Sequence, residues 1–267
     1  MIELPEFFNN PSIIEIGNFR IQYYALTWIL SAILIFQHLK RSKILAAEGL
    51  SHEQINDMVF IWGLFFGAMF GGRVGYMIFY GTEQLISNPL SLFYVWQGGL
   101  SFHGGLLGVI ASMYLFSVKK KTSFLSIMDA VALSMPIGLG LVRLGNFLNG
   151  ELFGKPTSGS WGFIFPTDPY GYPRHPSQLY ELVLEGFLLF YVLYLVSKLK
   201  PKPGVIASSL LIFYGLFRFS VEFFREPDAH LGHLTFNLSM GQILSLPMII
   251  IGIILVLFFS NKYAKLS

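Results

Sequence analysis

The stretch FLSIMDAVALSMPIGLGLVRLGNFL, Phe124 to Leu148, decides how this chain is read. It is apolar for long enough to cross a hydrocarbon layer of about 30 Å, yet it carries Arg143 close to its end. A guanidinium at membrane depth costs several kcal/mol by any scale, so such a residue faces a cavity, a partner or a ligand. The residues that follow sharpen the point. Arg143-Leu-Gly-Asn-Phe-Leu-Asn-Gly-Glu-Leu-Phe-Gly154 crowds a cation, two amides, a carboxylate and three glycines into one membrane boundary. That is the composition of a polar ligand site.

Outward from this stretch, the composition agrees with a membrane protein. Hydrophobic residues make up 54% and charged residues 12% of the 267 positions, about half the charge of an ordinary soluble domain. Six further apolar stretches stand beside the first, giving spans at Gln22–Leu39, Asp57–Tyr80, Gly98–Val118, Phe124–Leu148, Gln178–Ser197, Gly204–Phe224 and Met240–Ser260. The predicted fold class is all-α: a polytopic integral membrane protein of seven helices, with an external cap, Asn149 to Ser177, between the fourth and fifth. Residues 1–267 are read as a single membrane-embedded domain, without internal repeats.

The basic residues set an orientation. Lys40, Arg41, Lys43, Lys119 to Lys121, Lys198, Lys200, Lys202, Lys262 and Lys265 fall in alternate loops, while Arg20, Lys155, Arg174 and Arg225 fall on the other side. The positive-inside rule then predicts an external N-terminus and a cytoplasmic C-terminus. Met1 to Asn10 has neither a basic start nor an apolar core and is not read as a cleavable signal. The excess of 18 basic over 15 acidic residues is too small to suggest nucleic acid. With no cysteine, the chain has no disulfide or thiolate of its own, and any thiol chemistry would use a substrate's sulfur.

In this orientation the costly polar groups share one depth. Tyr24, Arg73, His103, Arg143, Asn146, Glu181, Arg218 and Glu222 all fall in the outer halves of their spans; only Asp129 lies toward the cytoplasm. A shared depth favours a common site over scattered packing pairs. Arg218 and Glu222, at i,i+4, read equally as a helix-pinning ion pair or as part of that site. Arg73 reads as structural, satisfied by backbone or a carboxylate. His103 lies in Gly98-Gly-Leu-Ser-Phe-His-Gly-Gly105, whose glycines would let a ligand approach the backbone. Glu151 is open between local capping, pairing with Arg143 and substrate contact. Gly63, Gly67, Gly71 and Gly75 repeat every four residues and predict a ridge for close helix packing.

No metal-binding HExxH motif, nucleophile elbow or P-loop is present, and His230 with His233 forms only a weak pair. Cationic and hydrogen-bonding groups at headgroup depth suit an anionic phosphate, since Arg offers a planar fork and stays charged. From the residues alone, the protein handles an anionic lipid of the outer leaflet. A flippase would need a polar ladder reaching the cytoplasm, and an intramembrane hydrolase a nucleophile–base pair or metal set; neither pattern is visible.

The run from Arg143 to Gly154 closely resembles the signature of bacterial prolipoprotein diacylglyceryl transferases. Ser101-Phe-His-Gly-Gly-Leu-Leu-Gly108, Arg174-His-Pro-Ser-Gln-Leu-Tyr-Glu181, Arg218-Phe-Ser-Val-Glu-Phe-Phe-Arg-Glu-Pro-Asp228 and Met240-Gly-Gln-Ile-Leu-Ser245 resemble the same family in the same order. Val142 stands where that family usually has Gly. The resemblance implies transfer of the diacylglyceryl group of phosphatidylglycerol to the lipobox cysteine of a preprolipoprotein signal peptide, in the bacterial plasma (inner) membrane, without cofactor or metal. It implies catalytic roles for His103, Arg143, Arg218, Glu222 and Tyr24, and substrate contacts by Arg143, Asn146, Asn149, Glu151 and Gly154. Arg143 would clamp the lipid phosphate, Asn146 orient it, Arg218 add a second cation held by Glu222, and His103 serve as base or hydrogen-bond partner. Glu151 and Gly154 would shape the mouth of the site.

Overall fold

The computed structural model of the protein describes residues 2–5, 8, 10–16, 19–95, 98–226 and 238–264. They form two compact units, one of Met1–Gln37 with Val131–Ser267 and the other of His38–Ala130. The long helices are α1 (Tyr23–Lys40), α2 (His52–Phe79), α3 (Phe102–Lys120), α4 (Phe124–Leu148), α5 (Ser177–Lys198), α6 (Val205–Val221) and α7 (Met240–Ala264). Unit boundaries fall inside α1 and α4.

The unit His38–Ala130 is built on α2 and α3. Ser51 and Gln54 start α2 with a reciprocal capping box, Gln54 N to Ser51 Oγ at 3.2 Å and Ser51 N to Gln54 Oε1 at 3.0 Å. Over Met58–Phe70 this helix widens to a π winding before Gly71–Phe79 returns to α. The predicted glycine ridge packs on a second one. A Cβ on Gly71 would come within 2.7 Å of Gly108 Cα, on Gly75 within 2.6 Å of Gly104 Cα, and on Gly67 within 2.8 Å of Val109 Cα. Between apolar helices in lipid, association rests on such van der Waals contact, so the missing side chains are what bring the backbones together. Gly63 stands apart, near Met113 and its own helix's Met58 carbonyl.

Arg73, 2% exposed, is held by backbone carbonyls, one of the two expected partners, through its two terminal nitrogens. Its Nη1 donates to the Gly98 carbonyl and its Nη2 to the Ser91 carbonyl at 2.7 Å. Of the glycines around His103, Gly104 serves helix packing, while a Cβ on Gly98 would meet open space. Gly104 is filled by the backbone of Gly71 and Gly75, and the Gly98 carbonyl is taken by Arg73.

In the other unit, small residues again set helix spacing. Gly140 of α4 meets Gly186 of α5, with a Cβ on Gly140 only 3.0 Å from Gly186 Cα. Gly145 of α4 lies under Tyr24 and Thr27 of α1, and Gly215 and Gly252 let α6 and α7 pack closely. Two small sheets, which the all-α expectation omitted, join this unit. Strands β2 (Ser12–Ile16) and β3 (Phe19–Gln22) form an antiparallel hairpin leading into α1. A three-stranded sheet in the order β1 (Ile2–Glu3), β4 (Phe163–Ile164), β5 (Pro173–Arg174) pairs the N-terminus with the segment between α4 and α5. That segment is ordered around Phe165, 1% exposed, with Phe153 at 5.3 Å, Phe163 at 6.3 Å and Phe147 of α4 at 6.0 Å between ring centroids.

Among the described residues, five helices are long and apolar enough to cross a membrane: α2, α3, α4, α5 and α7. Two predicted spans are helical but fall short of that measure. α1 is 18 residues long and carries Gln37, His38 and Lys40 near its end; α6 is an apolar helix of 17 residues. Large apolar side chains such as Leu64, Phe65, Ile254 and Leu257 point outward, as they do in a lipid environment. His230, His233, Asp228 and Lys265 lie outside the described residues.

Candidate functional site

The end of α4 is fixed by backbone geometry. Gly150, with φ of 65°, adopts the left-handed conformation that glycine tolerates, so Gly150 N reaches Phe147 O at 2.9 Å and Glu151 N reaches Asn146 O at 3.0 Å. These two bonds are the Schellman closure of a helix. They turn the chain just after Arg143 and Asn146, and Asn146 Nδ2 donates to Glu151 Oε1 at 2.8 Å. Glu151 is bound by Asn146, and its carbonyl accepts from Gln178 Nε2 at 2.7 Å.

Three arginines and three glutamates converge beside this turn. On α5, Glu181 and Glu185 are one turn apart and fully buried. Arg143 Nη2 lies 3.4 Å from Glu181 Oε1, and Arg143 Nε lies 3.4 Å from Glu185 Oε2. Arg218 of α6 places Nη1 on Glu181 and Nη2 on Glu222. Arg225 closes the group, with Nη1 3.5 Å from Glu181 Oε1 and Nε 3.6 Å from Glu222 Oε1. Glu181 Oε1 is thus shared by all three guanidiniums. With every group ionised the cluster is neutral, which is how six largely buried charges coexist.

The start of α7 completes the site. Ser239 Oγ accepts from Gln242 N at 3.2 Å and Ser239 N donates to Gln242 Oε1 at 3.1 Å, a second capping box. The same hydroxyl donates to Glu222 Oε2. Gly241 leaves room for that carboxylate, since a Cβ there would sit 2.5 Å from Glu222 Cδ. Glu222 therefore faces a helix N-terminus, whose partial positive charge favours an anion.

The segment between α4 and α5 is braced against the same elements. Gly154 N donates to His175 O and Lys155 N to Phe224 O, both at 2.8 Å. A Cβ on Gly154 would strike the Phe224 carbonyl and His175, so glycine is required for this close approach to Arg225. Arg174 grips Asp168 with two bonds, Nε to Oδ2 at 2.8 Å and Nη2 to Oδ1 at 3.0 Å, and reaches Glu226 Oε2 at 3.1 Å. Burial works against ionisation of Asp168, but the Arg174 guanidinium and the Tyr170 and Tyr172 amides outweigh it and hold the carboxyl below its usual range. Burial lowers the His175 imidazole. On the same turns of α5 and α6, an apolar cavity of about 500 Å³ is lined by Trp161, Tyr180, Leu184, Val221 and Phe224 among others.

Of the site residues expected from sequence, Arg143, Asn146, Glu151, Arg218 and Glu222 stand in this cluster or its adjoining turn. Tyr24 packs on α4 at Gly145, edge-on to Trp28 at 6.2 Å. Asn149 donates to Gln22 Oε1 at 3.2 Å, and Gly154 holds the segment beside Arg225. His103 belongs to the other unit, exposed in the first turn of α3 with its ring 5.7 Å from Phe102. Sequence reading missed Glu185 and Ser239 and counted Arg225 as a loop cation. The i,i+4 repeat of Glu181 and Glu185 on one apolar helix was the available signal.

Residues 11–258 match the family model described as prolipoprotein diacylglyceryl transferase. The chain is 49% identical to the phosphatidylglycerol–prolipoprotein diacylglyceryl transferase of Idiomarina loihiensis, over 90% of this chain and 88% of that protein. It is 48% identical to the protein of that name in Pseudoalteromonas atlantica, over 96% and 92% of the two chains. With that of Geobacter sulfurreducens it shares 45% identity over 95% and 96%. A match across nearly the whole length, covering every element that builds the arginine–glutamate cluster, places this chain in the prolipoprotein diacylglyceryl transferase family.

Proposed function

We propose that this chain transfers the diacylglyceryl group of phosphatidylglycerol to the lipobox cysteine of preprolipoproteins, the first step of lipoprotein maturation. The observation that carries the reading is the pair of Arg143 and Arg218 on one buried carboxylate, Glu181, in a chain of this family. The substrate thiolate attacks the glyceryl carbon: a carbon–sulfur bond forms, the carbon–oxygen bond to phosphate breaks, and glycerol phosphate leaves with the electron pair. Arg143 clamps the phosphate. Its Nη1 makes no hydrogen bond among the described residues and is a donor at hand. Arg218, held by Glu222, supplies the second cation, and donors fixed in advance stabilise charge as it develops on the leaving group. Asn146 orients the phosphate, with Glu151 holding the amide; Asn149 and Gly154 shape the entrance, and Tyr24 packs beside it. His103 is the candidate base on sequence grounds alone. A free thiol ionises near pH 8.5, so base or positive field raises its reactive fraction.

The same reading takes α1 and α6 as spans, for seven crossings in the bacterial plasma (inner) membrane and one functional domain over residues 1–267. The N-terminus is external, the segment 149–177 is a cap on that side, and the C-terminus is cytoplasmic. The basic loops support this orientation. Incubating the purified protein with phosphatidylglycerol and a lipobox peptide tests the activity. The peptide should gain the mass of a diacylglyceryl group; an unmodified peptide beside intact, folded protein overturns the reading.

A further inference from the structure

The two glutamates of α5 are not held alike. Glu181 Oε1 receives Arg143, Arg218 and Arg225. Glu185 meets Arg143 through one oxygen only: Arg143 Nε and Nη2 both point at Glu185 Oε2, at 3.4 and 3.5 Å. Its other oxygen, Oε1, is buried without a hydrogen-bond partner, as Glu181 Oε2 also is, and its second cation, Arg218 Nη1, stands off at 3.8 Å. The pair of Arg174 and Asp168 in the same protein shows a committed fork, two oxygens on two nitrogens at 2.8 and 3.0 Å. Burying a carboxylate is repaid only by good geometry and filled lone pairs. Glu185 has neither, although it is fully buried.

The edge of Arg143 that Glu185 occupies is also the valuable one. Nε and Nη2 form a side-on fork that matches two oxygens of a phosphate. On the opposite end of the guanidinium, Nη2 is shared with Glu181. A phosphate that sets two oxygens on Nε and Nη2 takes the edge that Glu185 holds, with Nη1 left as a further donor.

We propose that Glu185 is a placeholder: it occupies the Nε–Nη2 edge of Arg143 in the unloaded protein and yields it to the phosphate of the incoming lipid. This rests on the reading of Arg143 as the phosphate clamp. The exchange makes and breaks no covalent bond; one anionic acceptor replaces another. It answers two needs at once. Without Glu185, three largely buried guanidiniums would face two carboxylates, an uncompensated charge in apolar surroundings. With it, a lipid lacking an anionic headgroup cannot restore what displacing Glu185 loses, so the contact discriminates against neutral lipids. Specificity here comes from a competing element as well as from an attractive one.

Glu185→Gln keeps the shape and removes the charge. In the transfer assay the KM for phosphatidylglycerol should fall by about tenfold or more, because a like charge beside the phosphate is gone, while kcat moves less than KM. Inhibition by added glycerol phosphate should strengthen in parallel. A merely structural glutamate would not lower KM when removed. An unchanged or raised KM in folded Glu185→Gln protein overturns the proposal. Should that variant fail to fold, Glu185→Asp, which draws the carboxylate back from Arg143, must show the same direction. Misfolding of both would make Glu185 a structural anchor and equally overturn it. Absence of transfer by the wild-type protein would instead refute the activity, not the placeholder.

Discussion

Arg143 holds two buried glutamates and is also the proposed ligand for phosphate. The two duties separate under substitution. Arg143→Ala removes a cation from two fully buried carboxylates, and breaking such a pair costs about 3 to 5 kcal/mol, so lost activity would be mixed with lost stability. Arg143→Lys is the cleaner probe. A point charge keeps much of the Coulomb attraction but cannot place two parallel donors on a phosphate. The expected outcome is a fall in turnover of about 10²- to 10³-fold, the usual consequence of losing one donor to developing charge. Steady-state kinetics beside thermal unfolding in detergent check it; near-normal kcat would leave only a need for positive charge.

At the scale of elements, glycine position matters more than glycine count. Gly63 and Gly75 belong to one sequence ridge, but a Cβ on Gly75 lands 2.6 Å from backbone of α3, whereas on Gly63 its nearest atom is Met58 O at 3.2 Å. Gly75→Ala should lower stability by about 1 to 3 kcal/mol, the range for overpacking a tight interface, and Gly63→Ala should change it far less. Equal unfolding temperatures for the two variants would contradict the close α2–α3 approach. The Asp168–Arg174 pair makes a second prediction. Since folding lowers the Asp168 carboxyl, its stabilisation is full above the unfolded value of about 3.9 and is lost as pH falls through the lower folded value. Protease resistance of the segment 149–177 should therefore weaken in acid, and Asp168→Asn should show that weakened state already at neutral pH. A wild-type segment equally resistant in acid would dissociate its order from this pair.

For the whole molecule, orientation is the testable quantity. A reporter fused after Ser267 should lie in the cytoplasm and one inserted at Thr157 outside. Finding both on one side would break the seven-span reading, in which α1 and α6 also cross. Much of the architecture was already legible because hydropathy is local: a run of apolar residues announces its own burial in lipid, and the run from Phe124 to Leu148 did so. Arg143, Arg218 and Glu222 were legible for the same reason, as charges where none is tolerated without cause. The strands at Ile2–Glu3 and Pro173–Arg174 were not, because two-residue strands carry no periodicity and exist only through partners distant in sequence. Nor could the sequence tell a glycine that opens backbone to a ligand from one filled by another helix, as Gly104 is by Gly75. The sequence by itself determined which residues must avoid lipid. Which carboxylate each arginine meets, and that Glu181 draws three cations onto one oxygen while Glu185 meets Arg143 and, at 3.8 Å, Arg218, was decided only by tertiary structure, since pairing depends on how helix faces turn toward one another.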